Sequence, residues 1–181
     1  MNITVPADVL TFWFDAGPTK WFTKDDRFDA EIREKFLPTY EAAAQGKFAG
    51  WEATAEGALA LVILLDQFPR NMFRASPRAF AADELARAVA DRVIARGFDK
   101  RLELPKRNFF YLPFMHSESL ADQERCVELC RRLGDANTLK YAELHAGIIH
   151  RFGRFPHRNV VLGRPMTAEE QAFLDSGGFA G

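Results

Sequence analysis

Residues 58–65 read Ala-Leu-Ala-Leu-Val-Ile-Leu-Leu, and the next two residues are Asp66 and Gln67. A helix that is apolar on every side has to be enclosed by other elements, and a run this short cannot span a bilayer. The segment therefore predicts a central helix over 54–67, wrapped by the rest of the chain. The chain has the material to wrap it: 48% of its 181 residues are hydrophobic and 17 are Phe. That suffices for one domain whose core needs no disulfide or metal to hold it.

The surrounding segments carry helical spacing, and none shows strand alternation bounded by hairpin turns. An all-α fold is the expectation. Pro6 suits a first helical turn, and Val9, Leu10, Trp13 and Phe14 give the helix 6–16 an apolar side before Gly17-Pro18 ends it. Phe28, Ile32, Phe36, Tyr40 and Ala43 predict a second helix over 26–45, kinked or broken at Pro38, whose ring removes a bond to the Glu34 carbonyl. Ser76 and Pro77 open a helix with the inward stripe Ala82, Leu85, Ala86, Val89 and Val93. Ser117 caps a helix reaching Leu133, and Asn137 caps another ending near Phe152. Thr167 and Glu170 form a capping box for a short helix to Asp175, after which residues 176–181 read as a loose tail.

Polar residues fall where the apolar stripes should continue. The stripe Cys126, Leu129, Cys130, Leu133 runs backward onto Gln123, Asp122 and Ser119. His145 sits among Tyr141, Ala142, Ile148, Ile149 and Phe152. The central helix ends in Asp66-Gln67. Buried polar groups need partners, and arginine, with its planar fork, can answer a carboxylate or a ligand's anionic group. The candidates are Arg70, Arg107, Arg154 and Arg158, with Asn71, Asn108 and Asn159 beside three of them. Two of these arginines belong to an echo, Phe68-Pro69-Arg70-Asn71 and Phe155-Pro156-His157-Arg158-Asn159. Each Phe-Pro step reads as a corner, with Phe turned inward and Arg-Asn reaching back over a helix end.

Other chemistries lack their signatures. Lys and Arg total 24 against 25 acidic residues, which removes any general attraction to DNA or an anionic membrane. The N-terminus has no leader pattern, and Cys126 and Cys130 sit four apart in a helix, poor material for a disulfide, so the cytoplasm is the expected compartment. His116, Glu118, Asp122, His145, His150 and His157 lack metal-ligand spacing, and no Gly-rich phosphate loop is present, so no metal or cofactor is predicted. The stretch 150–158 interleaves basic residues with two phenylalanines, a texture suited to RNA, although Phe152 falls on a core stripe.

Trp13-Phe14, Trp21-Phe22, LALVILLDQFPRNMFR, FFYLPFMHSE, DQERCVEL and HRFGRFPHRNVVLGR resemble the blocks of the uncharacterised bacterial family called domain of unknown function 924. The resemblance covers about 9–174 and implies helix pairs stacked antiparallel in one domain, like tetratricopeptide repeats. It implies no activity. The leading expectation from the residues is a small anionic molecule, carrying phosphate or carboxylate, held in a cleft among the central, Ser117 and Asn137 helices. Arg70, Arg154 and Arg158 would grip it. Asp66, Gln67, Asn71, Gln123, His145, His157 and Asn159 would complete the pocket, and His116 with Glu118 or Asp122 would be the acid–base pair. The competing expectation is a peptide-binding groove, with the polar network only fixing corners.

Overall fold

The computed structural model describes residues 4–180. Among them the regular structure is entirely helical, and the chain divides into two compact units.

The first unit comprises the residues up to 74 together with 78–113. Its helices are α1 (Pro6–Ala16), the short α2 (Pro18–Trp21), α3 (Asp26–Ala44), α4 (Ala55–Val62), α5 (Phe68–Met72) and α6 (Asp83–Ala95). The boundaries of α1 and α3 match the sequence expectation, but α3 passes through Pro38 without a break. Asp25 caps it, accepting hydrogen bonds from the amides of Arg27 and Phe28 at 3.0 Å. Pro77 opens a 3-10 turn, Pro77–Phe80, and α6 starts later than expected, at Asp83.

The central rod is as buried as its composition requires: every residue from Ala58 to Leu65 lies in the core. It does not end where the sequence suggested. Ile63–Gln67 forms a π turn that joins α4 directly to α5, and the Phe68 amide donates to the Ile63 carbonyl five residues back. Pro69 explains this. Proline has no N–H to give the Leu65 carbonyl, and its ring would collide with that oxygen in a regular α-helix. Widening the turn moves the obstruction aside and the helix continues. The first Phe-Pro step is thus an internal joint and not a corner. Around the rod pack α1 against α4, α3 against α5 and the π turn, and α6 against α4. Trp13, Phe28, Phe68 and Phe109 interlock over it, and Trp21 donates from Nε1 to the Trp13 carbonyl at 2.6 Å.

The second unit comprises 75–77 and 114–181. The short α7 (Leu112–Met115) straddles the division, followed by α8 (Leu120–Leu133), α9 (Ala136–Phe152) and α10 (Ala168–Asp175). A tight connection folds α8 and α9 into a hairpin, helped by the left-handed backbone of Gly134 (φ 81°). The caps lie near, but not on, the expected residues. Asp135 caps α9, accepting from the Thr138 amide at 3.1 Å, in place of Asn137. Ser119 stands at the start of α8, while the Ser117 hydroxyl donates to Asp122 at 2.6 Å and accepts from the Ser119 amide. The capping box of Thr167 and Glu170 forms as read. Ile148, Ile149 and Phe155 make a small core with Phe152, Phe173 and Phe179 against it, so the segment after Ser176, expected to be loose, contributes a packed ring.

Candidate functional site

Asp66, Gln67, Arg70 and Asn71 lie in the first unit, on the rod where the π turn meets α5. Asp66 is wholly buried. Gln67 Nε2 donates to its Oδ2 at 2.5 Å, and Arg70 Nη1 stands 3.4 Å from its Oδ1. Arg70 also donates to the Asp66 carbonyl at 2.6 Å and grips Asp83 with both arms of its fork, at 2.8 and 2.9 Å. Burial opposes the charge on Arg70, and Asp66 and Asp83 outweigh it, leaving the guanidinium's pKa above its usual value. Asn71 donates to Asp29 at 2.8 Å, and Arg74 binds the same carboxylate. In this unit the arginine meant for an anion is occupied by the protein's own carboxylates. Arg107 is likewise engaged, donating to the Asp99 carbonyl at 2.9 Å.

The second unit holds His116, Glu118, Asp122, Gln123, His145, Arg154, His157, Arg158 and Asn159. Gln123 is fully buried, and its Nε2 donates to the carbonyls of Met115 and Ser117 at 2.7 and 2.6 Å, tying down the turn before α8. Arg154 makes a two-armed bond to Glu170 at 2.6 and 2.8 Å and a third bond to the Pro165 carbonyl. The Arg154 fork lowers the Glu170 pKa, with help from the capping bonds at Thr167. Glu118 accepts from the Phe155 amide at 2.8 Å and from both arms of Arg164 at 2.7 and 2.9 Å. Burial pushes Glu118 toward neutrality, but Arg164 and the Phe155 amide prevail and its pKa falls. Asn159 is a tie as well, accepting from Arg164 at 3.0 Å and donating to Met166 Sδ at 3.4 Å.

What remains is a histidine patch beside a buried guanidinium. Phe155 closes the left-handed exit of α9 at Gly153 and starts the 3-10 turn Pro156–Arg158. That turn sets the Arg158 guanidinium over the Phe155 ring, 4.5 Å from its centroid. The His157 ring lies 5.6 Å from Phe155 and 5.4 Å from Phe179, and His145 lies 4.5 Å from Phe179. His145 Nδ1 donates to the Tyr141 carbonyl at 2.7 Å, as a histidine on an apolar face should. His157 Nδ1 is buried and makes no hydrogen bond. Burial, then Arg158 and His145, hold the His157 pKa down to about 4, so its ring is neutral near pH 7.

Asp83, Glu170 and Arg164 are the partners that sequence reasoning missed. Glu170 was visible only as half of a capping box, and Arg164 sits 46 residues from the carboxylate it binds. The stretch 150–158 is largely occupied within the unit itself. Phe152 and Phe155 belong to the small core, while Arg151 and Arg154 are matched to Glu169 and Glu170. Among the described residues no group of three His, Cys, Asp or Glu side chains is arranged to hold a metal ion, and no helix is long and apolar enough to cross a membrane.

Fold and site together define an all-helical protein that pairs Arg70, Arg154 and Arg164 with its own carboxylates and keeps a neutral histidine beside the buried Arg158. The chain belongs to the family described as Bacterial protein of unknown function (DUF924), whose model matches residues 9–178. It is also similar to a solved structure, that of the protein of unknown function ATU0120 from Agrobacterium tumefaciens. The two are 47% identical, with a TM-score of 0.92, over 95% of this chain and 97% of that one. No curated protein matches.

Proposed function

We propose that the protein binds a small anionic molecule, carrying phosphate or carboxylate, through its second unit at Arg158, His157 and His145, with His116 alongside. The observation that carries this reading is His157. Its buried Nδ1 has no hydrogen-bond partner, and its charged surroundings are Arg158, His145, Glu118 and His116. Three of those four can be cationic, so an anion would relieve their mutual repulsion and could accept a hydrogen bond from the ring. Phe179 covers the two rings, so the ligand enters by displacing the segment after α10.

In this reading Asp66, Gln67, Arg70, Asn71, Gln123, Arg154 and Asn159 hold helix ends in register. Asp122 is engaged by Ser117, and Glu118 stays ionised in the grip of Arg164, unable to donate a proton near neutral pH. Binding, rather than acid–base catalysis, is the activity that this supports. The cytoplasm is the proposed compartment, because Cys126 and Cys130 are buried free thiols.

Anion binding and protonation of His157 must be linked, each favouring the other. The test is nitrogen-15 NMR titration of the histidines with and without inorganic phosphate or a simple dicarboxylate. The expected result is a rise of about a pH unit or more in the His157 midpoint, lost in Arg158→Met. An unmoved midpoint, together with no thermal shift across a panel of phosphorylated and carboxylated metabolites, overturns the proposal.

A further inference from the structure

In the first unit, α1 packs on α4 and α3 packs on α5, and a groove of about 900 Å³ runs between α1 and α3. Thr4 hydrogen-bonds Thr39 at one end, and Lys20 lies over Phe28 at the other, so the two walls run antiparallel. The half-buried Phe12 forms the floor, its ring stacked on the buried Phe28 at 5.5 Å and edge-on to the buried Phe36 at 5.0 Å.

The rim is acidic. Asp8 and Asp15 line it from α1, and Glu31 and Glu34 from α3, against two ammonium groups, Lys20 and Lys35. Lys35 is spent on Glu31 at 2.6 Å, whereas Asp15 and Glu34 join no ion pair among the described residues. Asp8 and Asp15 are seven residues apart, two helical turns or about 10 Å along the wall. The floor already attracts cations: Lys20 Nζ lies 5.4 Å from the Phe28 centroid and Lys35 Nζ 4.9 Å from that of Phe12.

We infer that this groove docks a basic amphipathic helix from a partner protein, its apolar residues on the phenylalanine floor and its Lys or Arg side chains against Asp15 and Glu34. The shape argues for a helix. Two antiparallel helices held apart on a common rod leave a trough whose walls offer contacts at the spacing of successive helical turns, the arrangement by which helices bind in grooves. The charge decides its sign, since unpaired carboxylates repel an acidic segment or an anionic membrane and raise the encounter rate of a basic one.

The test selects a random peptide library on the immobilised protein. Enriched sequences are then measured in solution by fluorescence anisotropy against wild type and the double variant Asp15→Lys/Glu34→Lys. Both side chains lie on the surface, and an unchanged unfolding midpoint will certify the fold. The expected peptides combine apolar residues at helical spacing with Lys or Arg, and lose about tenfold or more in affinity to the variant and to added salt. Failure to enrich any peptide, enrichment of neutral or acidic ones, or indifference to the variant overturns the inference. Concentration-dependent dimerisation that the variant abolishes also overturns it, by assigning the groove to a second copy of this chain.

Discussion

Phe68-Pro69-Arg70-Asn71 and Phe155-Pro156-His157-Arg158-Asn159 share their lettering and little of their geometry. The first lies inside a continuous rod, where a widened turn admits the proline and the helix goes on. The second follows a helix already ended by a left-handed glycine, so its proline begins a fresh 3-10 turn. Both phenylalanines are fully buried, as their shared motif requires. The arginines diverge. Arg70 is held by Asp66 and Asp83 on a continuous rod, whereas the Arg158 guanidinium lies over the Phe155 ring in a fresh 3-10 turn. A short motif thus fixes which residues are buried, and the chain before it decides what they meet.

The sharpest way to break this contrast is to remove each arginine's charge. Arg70→Met leaves Asp66 buried beside an apolar stem, and urea unfolding is expected to show a loss of about 3–5 kcal/mol. Arg158→Met takes a cation from over the Phe155 ring, and the expected loss is about 1–2 kcal/mol. Equal losses would mean that the two arginines do the same work.

A second difference is proton-linked. The folded His157 has a pKa of about 4 against 6.5 unfolded, so between those values the unfolded chain binds a proton that the folded one refuses. Stability is fullest above pH 6.5 and declines as pH falls toward 4. His157→Gln should flatten the slope of stability against pH in that window, as read by denaturant titrations at several pH values. The first motif carries no histidine. The smallest effect is expected from Gly153→Ala. A side chain at φ 68° is strained, and a loss of about 1 kcal/mol should appear in thermal unfolding, with no equivalent glycine preceding the first motif.

The rod, α1, α3 and the Thr167 box were legible because each rests on neighbours within a few turns: an apolar run, a proline at N1, a stripe, a cap. Asp135 was legible the same way, since it follows the helix-ending Gly134 and precedes Thr138 by three. Buried polarity at Asp66, Gln123 and His145 was legible too, as an interruption of apolar spacing. What each one meets was not. Asp83 lies 13 residues from Arg70 and Glu170 lies 16 from Arg154, and no local pattern ranks one surface acid above another across such gaps. The continuation through Pro69 was hidden for another reason. Proline rules describe what a regular α-helix forbids, and a wider turn escapes them.

That wider turn makes the rod two screws joined out of phase. Side chains after Gln67 take their bearings from a different starting angle than those before it, so a heptad counted from Ala58 points to the wrong face by the time it reaches Met72. Losing or gaining a single residue between Ile63 and Gln67 would swing Phe68 and everything beyond it around the axis by roughly 100°. The length of this stretch, more than its spelling, is what the packing around it enforces.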